Sequence, residues 1–187
     1  MIDRAAAEGL MEGRLSRRRA AHSRRVAATA AVLAKRWGAS PESAEVAGLL
    51  HDLRREASPE EILAAAARYG IEVGPIEAQR PVGLLHGPVA GAELEAAGLD
   101  GQVAAAISRH TVGGADMTVL EKCLYLADLC EPGRDLAGLD EIRRLAEDSL
   151  DAAVAAAARR TLLDLIERER AVVPAALGLY NEYHVSG

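Results

Sequence analysis

The sequence predicts an all-α fold, and three observations carry that prediction. Alanine is abundant, Phe is absent and aromatic residues make up 3% of the chain, a composition suited to closely packed helices. The alternation of β-branched and polar residues that marks half-buried strands is hard to find. Apolar residues instead recur at intervals of three and four along most of the chain.

The first long helix is expected from about Ser16 to Trp37, where His22, Val26, Thr29, Leu33 and Trp37 share one stripe and Gly38 ends the run. Ser40-Pro41 opens a second helix with an N-cap and a first-turn proline, and that helix ends at His51-Asp52. Ser58 and Glu61 form a capping box before "EEILAAAARYG". "IEVGPIEAQRPVG" reads as a loop, and a short helix is expected from His86-Gly87-Pro88 to Gly98, with free N–H groups at its start for a phosphate. Asp100 caps the helix that reaches His110. Thr118 and Glu121 form a second capping box opening "VLEKCLYLADL", on which Leu120, Leu124 and Asp128 align. "CEPGRDLAGLD" is a loop, one or two helices occupy about 140 to 171, and Pro174 breaks them before a short final helix or tail.

At 187 residues and 50% hydrophobic, with a mean hydropathy of +0.01, the chain is expected to form one domain over residues 1–187 with a core of its own. No apolar run approaches the roughly 20 residues that span a bilayer, and the mixed-charge start lacks the apolar stretch of a signal peptide. The cytoplasm is therefore the expected location, without a membrane partner. A net charge of −6 argues against nucleic acid as a partner. The local exception, "RLSRRRAAHSRR", suits a basic helix face beside a bound anion. Cys123 and Cys130 match no zinc spacing and are expected as small core residues. The alanine-rich C-terminal faces leave a homo-oligomer open.

The chemistry begins at "VAGLLHDLRRE", where an apolar run ends in His51-Asp52. A buried carboxylate needs a positive partner. Four of the five histidines, His22, His51, His86 and His110, lie on or at the ends of apolar stripes, as do Asp52 and Asp128. A lone histidine on such a stripe is ordinarily a satisfied core residue. Six such groups together are satisfied at once by metal, since imidazole and carboxylate are ligands that transition metals take. Six ligands exceed what one tetrahedral ion uses. Two ions bridged by Asp52 match the count and leave positions for a water that loses its proton near neutral pH. His184 lies among polar neighbours and reads as an exposed tail residue.

The segments "RAAHSRRV", "LLHDLRRE", "LLHGPVAG" and "ISRHTVGGADMTVLEKCLYLADLCEPGRD" resemble the HD-domain metal-dependent phosphohydrolases. Within them they look like the YqeK family of bacterial symmetrical diadenosine tetraphosphate hydrolases. The resemblance runs from about residue 15 to 170 and implies an HD-domain helical bundle with a di-iron centre that cleaves diadenosine tetraphosphate into two ADP. It implies His22, His51, Asp52 and Asp128 on one metal and Asp52, His86 and His110 on the other. It also implies catalytic roles for His51, Asp52 and Arg134. Arg19, Arg55, Gly87, Thr111, Lys122, Gly133 and Arg134 are the expected contacts to a nucleotide substrate. Mixed-valent or divalent iron is the expected cofactor pair, with manganese, cobalt and nickel as alternatives. The expected reaction is attack of a metal-bridging hydroxide on a central phosphorus. Arg55 stands where that family usually carries lysine, and a guanidinium keeps the charge without giving up a proton. Two other readings stay open from the residues alone: a phosphohydrolase for another nucleotide or phosphate ester, and a non-catalytic metal- or nucleotide-binding helical module.

Overall fold

The computed structural model of the protein describes residues 2–135 and 137–184. Met1, Leu136 of the expected 130–140 loop and residues 185–187 of the expected tail lie outside the described residues. The described residues form helices and no strand: α1 (Arg4–Arg14), α2 (Arg17–Trp37), α3 (Pro41–Leu50), α4 (Pro59–Arg68), α5 (Pro75–Gln79), α6 (Pro81–Ala96), α7 (Gly101–Arg109), α8 (Val119–Cys130), α9 (Leu139–Asp148), α10 (Leu150–Glu167) and α11 (Pro174–His184). This is the all-α helical bundle the sequence predicts.

Side-chain caps set most of the starts. The hydroxyls of Ser16, Ser40 and Ser149 and the carboxylate of Asp100 each take a backbone N–H of their helix's first turn. Ser58–Glu61 and Thr118–Glu121 form the two reciprocal capping boxes. Gly38, at φ 82°, ends α2 in the left-handed region that a Cβ disfavours.

Three elements depart from the sequence reading. α1 forms over the charged N-terminal stretch, capped by Asp3, and buries Ala7 and Met11; with the partly buried Leu10 they anchor one face of the helix on the main core. A five-residue helix, α5, lies inside the expected 71–83 loop. α6 starts at Pro81 rather than Pro88, so Pro88 lies inside a helix. Its fixed φ suits helix, and a helix flanked by packed neighbours tolerates the missing bond. Residues after Pro88 have their N–H groups committed within the helix, and the phosphate site expected there is not formed.

Small residues let the helices approach closely around the site. A Cβ on Gly48 of α3 would lie 2.4 Å from Ala27 Cα of α2. Between α6 and α7, a Cβ on Gly87 would lie 2.9 Å from Ile107 O, and one on Gly91 2.6 Å from Ala104 O. The main apolar cluster runs from Ala7 and Met11 through Leu50, Ile107 and Leu124 to Leu179. Smaller clusters join α4 to α6 through Ile62, Ala66, Leu85 and Val89, and α10 to the chain around α11 through Leu162, Val173 and Ala176. Cys123 and Cys130 are free thiols in the core. Burial pushes them up to about 12 and about 11. Among the described residues, no helix is long and apolar enough to cross a membrane.

Candidate metal centre

Four helices meet where α2, the end of α3, α6 and the end of α7 each supply one imidazole. His22, His51, His86 and His110 are all buried, and so is Asp52. Asp128 comes in from the last turn of α8. The rings form a continuous row: centroids are 5.3 Å apart for His22–His51, 4.8 Å for His51–His110 and 4.9 Å for His86–His110.

Hydrogen bonding decides which ring nitrogen faces inward. His51 Nδ1 donates to Gly48 O at 2.7 Å, His86 Nδ1 to Val82 O at 2.8 Å, and His110 Nδ1 to Ile107 O at 2.7 Å. A carbonyl only accepts, so each Nδ1 carries a proton, and in the neutral ring each Nε2 presents a lone pair. His22 Nδ1 has Glu131 Oε1 at 3.1 Å. Glu131, nearly sealed from solvent, stays ionised. Burial works against that, but Arg25, the Gly133 N–H and His22 hold its carboxyl well below the usual range.

The inward Nε2 atoms therefore face other acceptors. His22 Nε2 is 3.0 Å from Asp128 Oδ1 and 3.8 Å from Asp52 Oδ2, while His51 Nε2 is 3.4 Å from Asp52 Oδ2 and 3.8 Å from Asp128 Oδ1. The other carboxylate oxygen, Asp52 Oδ1, is 3.3 Å from His86 Nε2 and 4.0 Å from His110 Nε2. His86 Nε2 and His110 Nε2 are 3.1 Å apart. Lone pairs converging at these distances require a cation. His22 Nε2 and His51 Nε2 are buried without a hydrogen-bond partner among the described residues.

Protons alone meet that demand poorly. Burial lowers the His51 pKa, but the charges of Asp52 and Asp128 outweigh it and lift the group to about 9. His110 is pushed down to about 3, by burial and then by His51 and His86. One imidazolium thus suppresses the next. Asp52 and Asp128 are held well below the carboxylate range by the surrounding imidazoles, against the opposing effect of burial. The donor set fits divalent metal binding instead: protonated Nδ1 atoms fixed by carbonyls or a carboxylate are the usual outer partners of metal-bound imidazole. His22, His51 and Asp128 form one cluster of candidate donor atoms, and His51, Asp52 and His110 another.

The other expected residues divide. Arg19 places its terminal nitrogen 2.7 Å from Asp52 Oδ2, and Arg134 places one 2.9 Å from Asp128 Oδ1. Thr111 Oγ1 is 3.0 Å from His110 Nε2 and 3.3 Å from His86 Nε2. A cleft of about 250 Å³ opens beside His22, lined by Arg18, Arg19, Arg25, Glu131, Gly133 and Arg134. Gly133 is thus at this cleft, and Arg55 reaches Val82 O at 3.3 Å. Lys122 is not brought to the site, because its Nζ pairs with Asp151 Oδ1 at 2.7 Å. Gly87 is buried against the His110 ring and α7, where it allows helix approach rather than ligand contact. His184 is exposed and stacks on Tyr180. Sequence reasoning missed Arg25 and Glu131. Arg25 lies one turn beyond His22 on the same helix face, and Glu131 follows Asp128 by three residues, so each carried a positional signal.

Helices closing on four imidazoles and two carboxylates define the class of protein, and the family model described as "HD domain" matches residues 19–133. The chain is 35% identical over 189 residues to a symmetrical bis(5'-nucleosyl)-tetraphosphatase of Bacillus subtilis (strain 168), covering 100% of both chains. It is also 35% identical over 184 residues to one of Staphylococcus aureus (strain NCTC 8325 / PS 47), covering 96% of this chain and 94% of the relative. A crystal structure described as a predicted HD superfamily hydrolase involved in NAD metabolism, from Clostridium acetobutylicum, superposes with a TM-score of 0.89 at 29% identity, covering 98% of this chain and 97% of that one. The chain belongs to the HD-domain family that contains these tetraphosphatases.

Proposed function

We propose that the protein hydrolyses a dinucleoside tetraphosphate, diadenosine tetraphosphate foremost, symmetrically into two nucleoside diphosphates, with two bound metal ions. The names of the 35%-identical relatives support the substrate. The observation that carries the dinuclear reading is the division of Asp52: Oδ2 faces His22 and His51 while Oδ1 faces His86 and His110. His22, His51, Asp52 and Asp128 would hold one ion, and Asp52, His86 and His110 the other. Iron is the first candidate, with manganese, cobalt and nickel as alternatives that the same donors accept. When bound, the ions supply an acidified water and positive charge against the phosphates.

The chain's own residues do the rest. Water oxygen bonds to one central phosphorus as the bond from that phosphorus to the central bridging oxygen breaks, one ADP leaves with the electron pair, and the water's proton is released to solvent. Arg134 and Arg19, at the mouth of the donor cluster, stabilise the charge that develops on the phosphoryl oxygens. Arg55 adds positive charge but no proton. ADP departs as an already acidic phosphate, so the reaction dispenses with a dedicated general acid. Thr111 Oγ1 lies where it can orient a ligand of His86 or His110.

Metal-loaded protein is expected to give ADP as sole product from diadenosine tetraphosphate, resolved by chromatography. Asp52→Ala and His51→Ala are expected to lose bound metal and at least about 10³-fold in kcat. Full hydrolysis and full metal content in either variant would sink the proposal, as would AMP and ATP as products.

A further inference from the structure

A cleft opens beside His22, and a second group of cations stands around the start of α6, the helix that carries His86. Arg55 donates to Val82 O at 3.3 Å, the carbonyl that also takes the His86 Nδ1–H at 2.8 Å. One peptide oxygen thus ties this guanidinium to a candidate metal ligand. Arg80 is the N-cap residue of α6, two positions before Val82. Its side chain folds back over the first turn, with a terminal nitrogen 3.6 Å from where a Cβ of Gly83 would stand.

Arg170 comes from the segment between α10 and α11. Its N–H donates to Leu165 O at 2.8 Å, and Glu169 turns the chain at φ 52°. Ile76 of α5 and Leu84 of α6 pack on Leu162, Val173 and Ala176, which holds this segment against the start of α6. The charges are close enough to interact: the Arg80 pKa is lowered by burial, then by Arg170 and Arg55.

None of these guanidiniums pairs with a carboxylate among the described residues. Elsewhere the acidic chain pairs its arginines freely: Arg14 and Arg54 share Glu93, Arg25 meets Glu131 and Arg109 meets Glu121. Like charges gathered by the fold and left without counter-charge make an anion site.

We infer that Arg55, Arg80 and Arg170 form a second anion-binding group that grips the outer phosphate on the His86–His110 side. The inference rests on the tetraphosphate reading above and extends it. Arg18 and Arg134, which line the cleft beside His22, hold one nucleotide half, and this group holds the other. A four-phosphate chain engaged at both ends presents its central bond to the donors between them, which is a physical reason for symmetrical cleavage. Arg80 and Arg170 contribute charge and position, and neither takes part in bond making.

The test uses metal-loaded protein and inorganic tripolyphosphate, titrated by calorimetry at low salt. Arg80→Gln/Arg170→Gln is expected to bind tripolyphosphate about tenfold more weakly, with unchanged metal content and melting temperature. Arg36→Gln/Arg144→Gln, which removes the same charge from exposed positions on α2 and α9, is expected to bind as the parent does. KM for diadenosine tetraphosphate should rise in parallel with the first effect. Parental affinity in Arg80→Gln/Arg170→Gln, equal weakening in the control pair, or an unchanged KM each overturns the inference. A parent protein that binds tripolyphosphate through Arg80 and Arg170 yet leaves diadenosine tetraphosphate intact overturns the substrate reading and upholds the anion site.

Discussion

Glu131 shows how much one side chain decides. Its Oε1 takes the His22 Nδ1–H at 3.1 Å, and its Oε2 takes the Gly133 N–H and the Arg25 Nε–H, each at 2.5 Å. Only an ionised carboxylate accepts from every side, because an amide has a single acceptor oxygen. Glu131→Gln therefore loosens either His22 or the Arg25–Gly133 corner. Metal affinity is expected to fall about 10- to 100-fold, the usual cost of losing an outer partner of a metal-bound histidine. Competition against a chelator of known affinity reads the change, and an unaltered affinity rules this role out. His51 and His110 need no such partner, since carbonyls three residues back in the chain fix their tautomer. Those bonds follow from helix-end geometry and are inherent in where the histidines stand.

Between elements, Glu93 is the joint to test. On α6 it receives Arg14 from the end of α1 at 2.9 Å and Arg54 from the turn after α3 at 2.6 Å. Burial alone would raise the Glu93 pKa, but the hydrogen bonds and charges of Arg54 and Arg14 bring it below its ordinary value of 4.5. A depressed carboxylate contributes stability above the unfolded-state pKa and loses it as pH falls from there through the folded-state value. Glu93→Gln is expected to cost about 1 kcal/mol at pH 7, or roughly 2–4 °C in melting temperature. The deficit should shrink as the pH drops below 4.5. Melting curves of both proteins from pH 7 to pH 3 check it, and a deficit that persists undiminished at pH 3 contradicts the assignment.

Over the whole molecule, the donor cluster is a point where α2, α3, α6, α7 and α8 converge, so metal binding and folding are linked. A ligand that binds only the native state stabilises it by about 2.7 kcal/mol at a hundredfold excess over its Kd. For a chain of this length that is roughly 5–10 °C in melting temperature. Chelation is expected to remove that increment, and re-addition of metal to restore it. Equal melting temperatures with and without chelator would show that the cluster holds no ion. Asp52→Ala protein should be insensitive to either treatment.

Local rules in the chain determined the helices, their serine, threonine and aspartate caps, and the residue types gathered as candidate metal donors. Hydrogen bonds to neighbours and apolar periodicity act over a few residues, so they are legible in one dimension. α1 and the early start of α6 were not, because a single packed face and flanking helices outweigh a polar stretch or an internal proline. Only the tertiary structure decided which nitrogen of each imidazole faces inward, how the two oxygens of Asp52 divide, and that Lys122 turns to Asp151. It alone packed the chain around Val173 against Ile76 and Leu84, which brings the charge of Arg170 to bear on Arg80, 90 positions earlier in the chain. Charges find their partners through space, and contacts between distant segments exist only once the helices have packed.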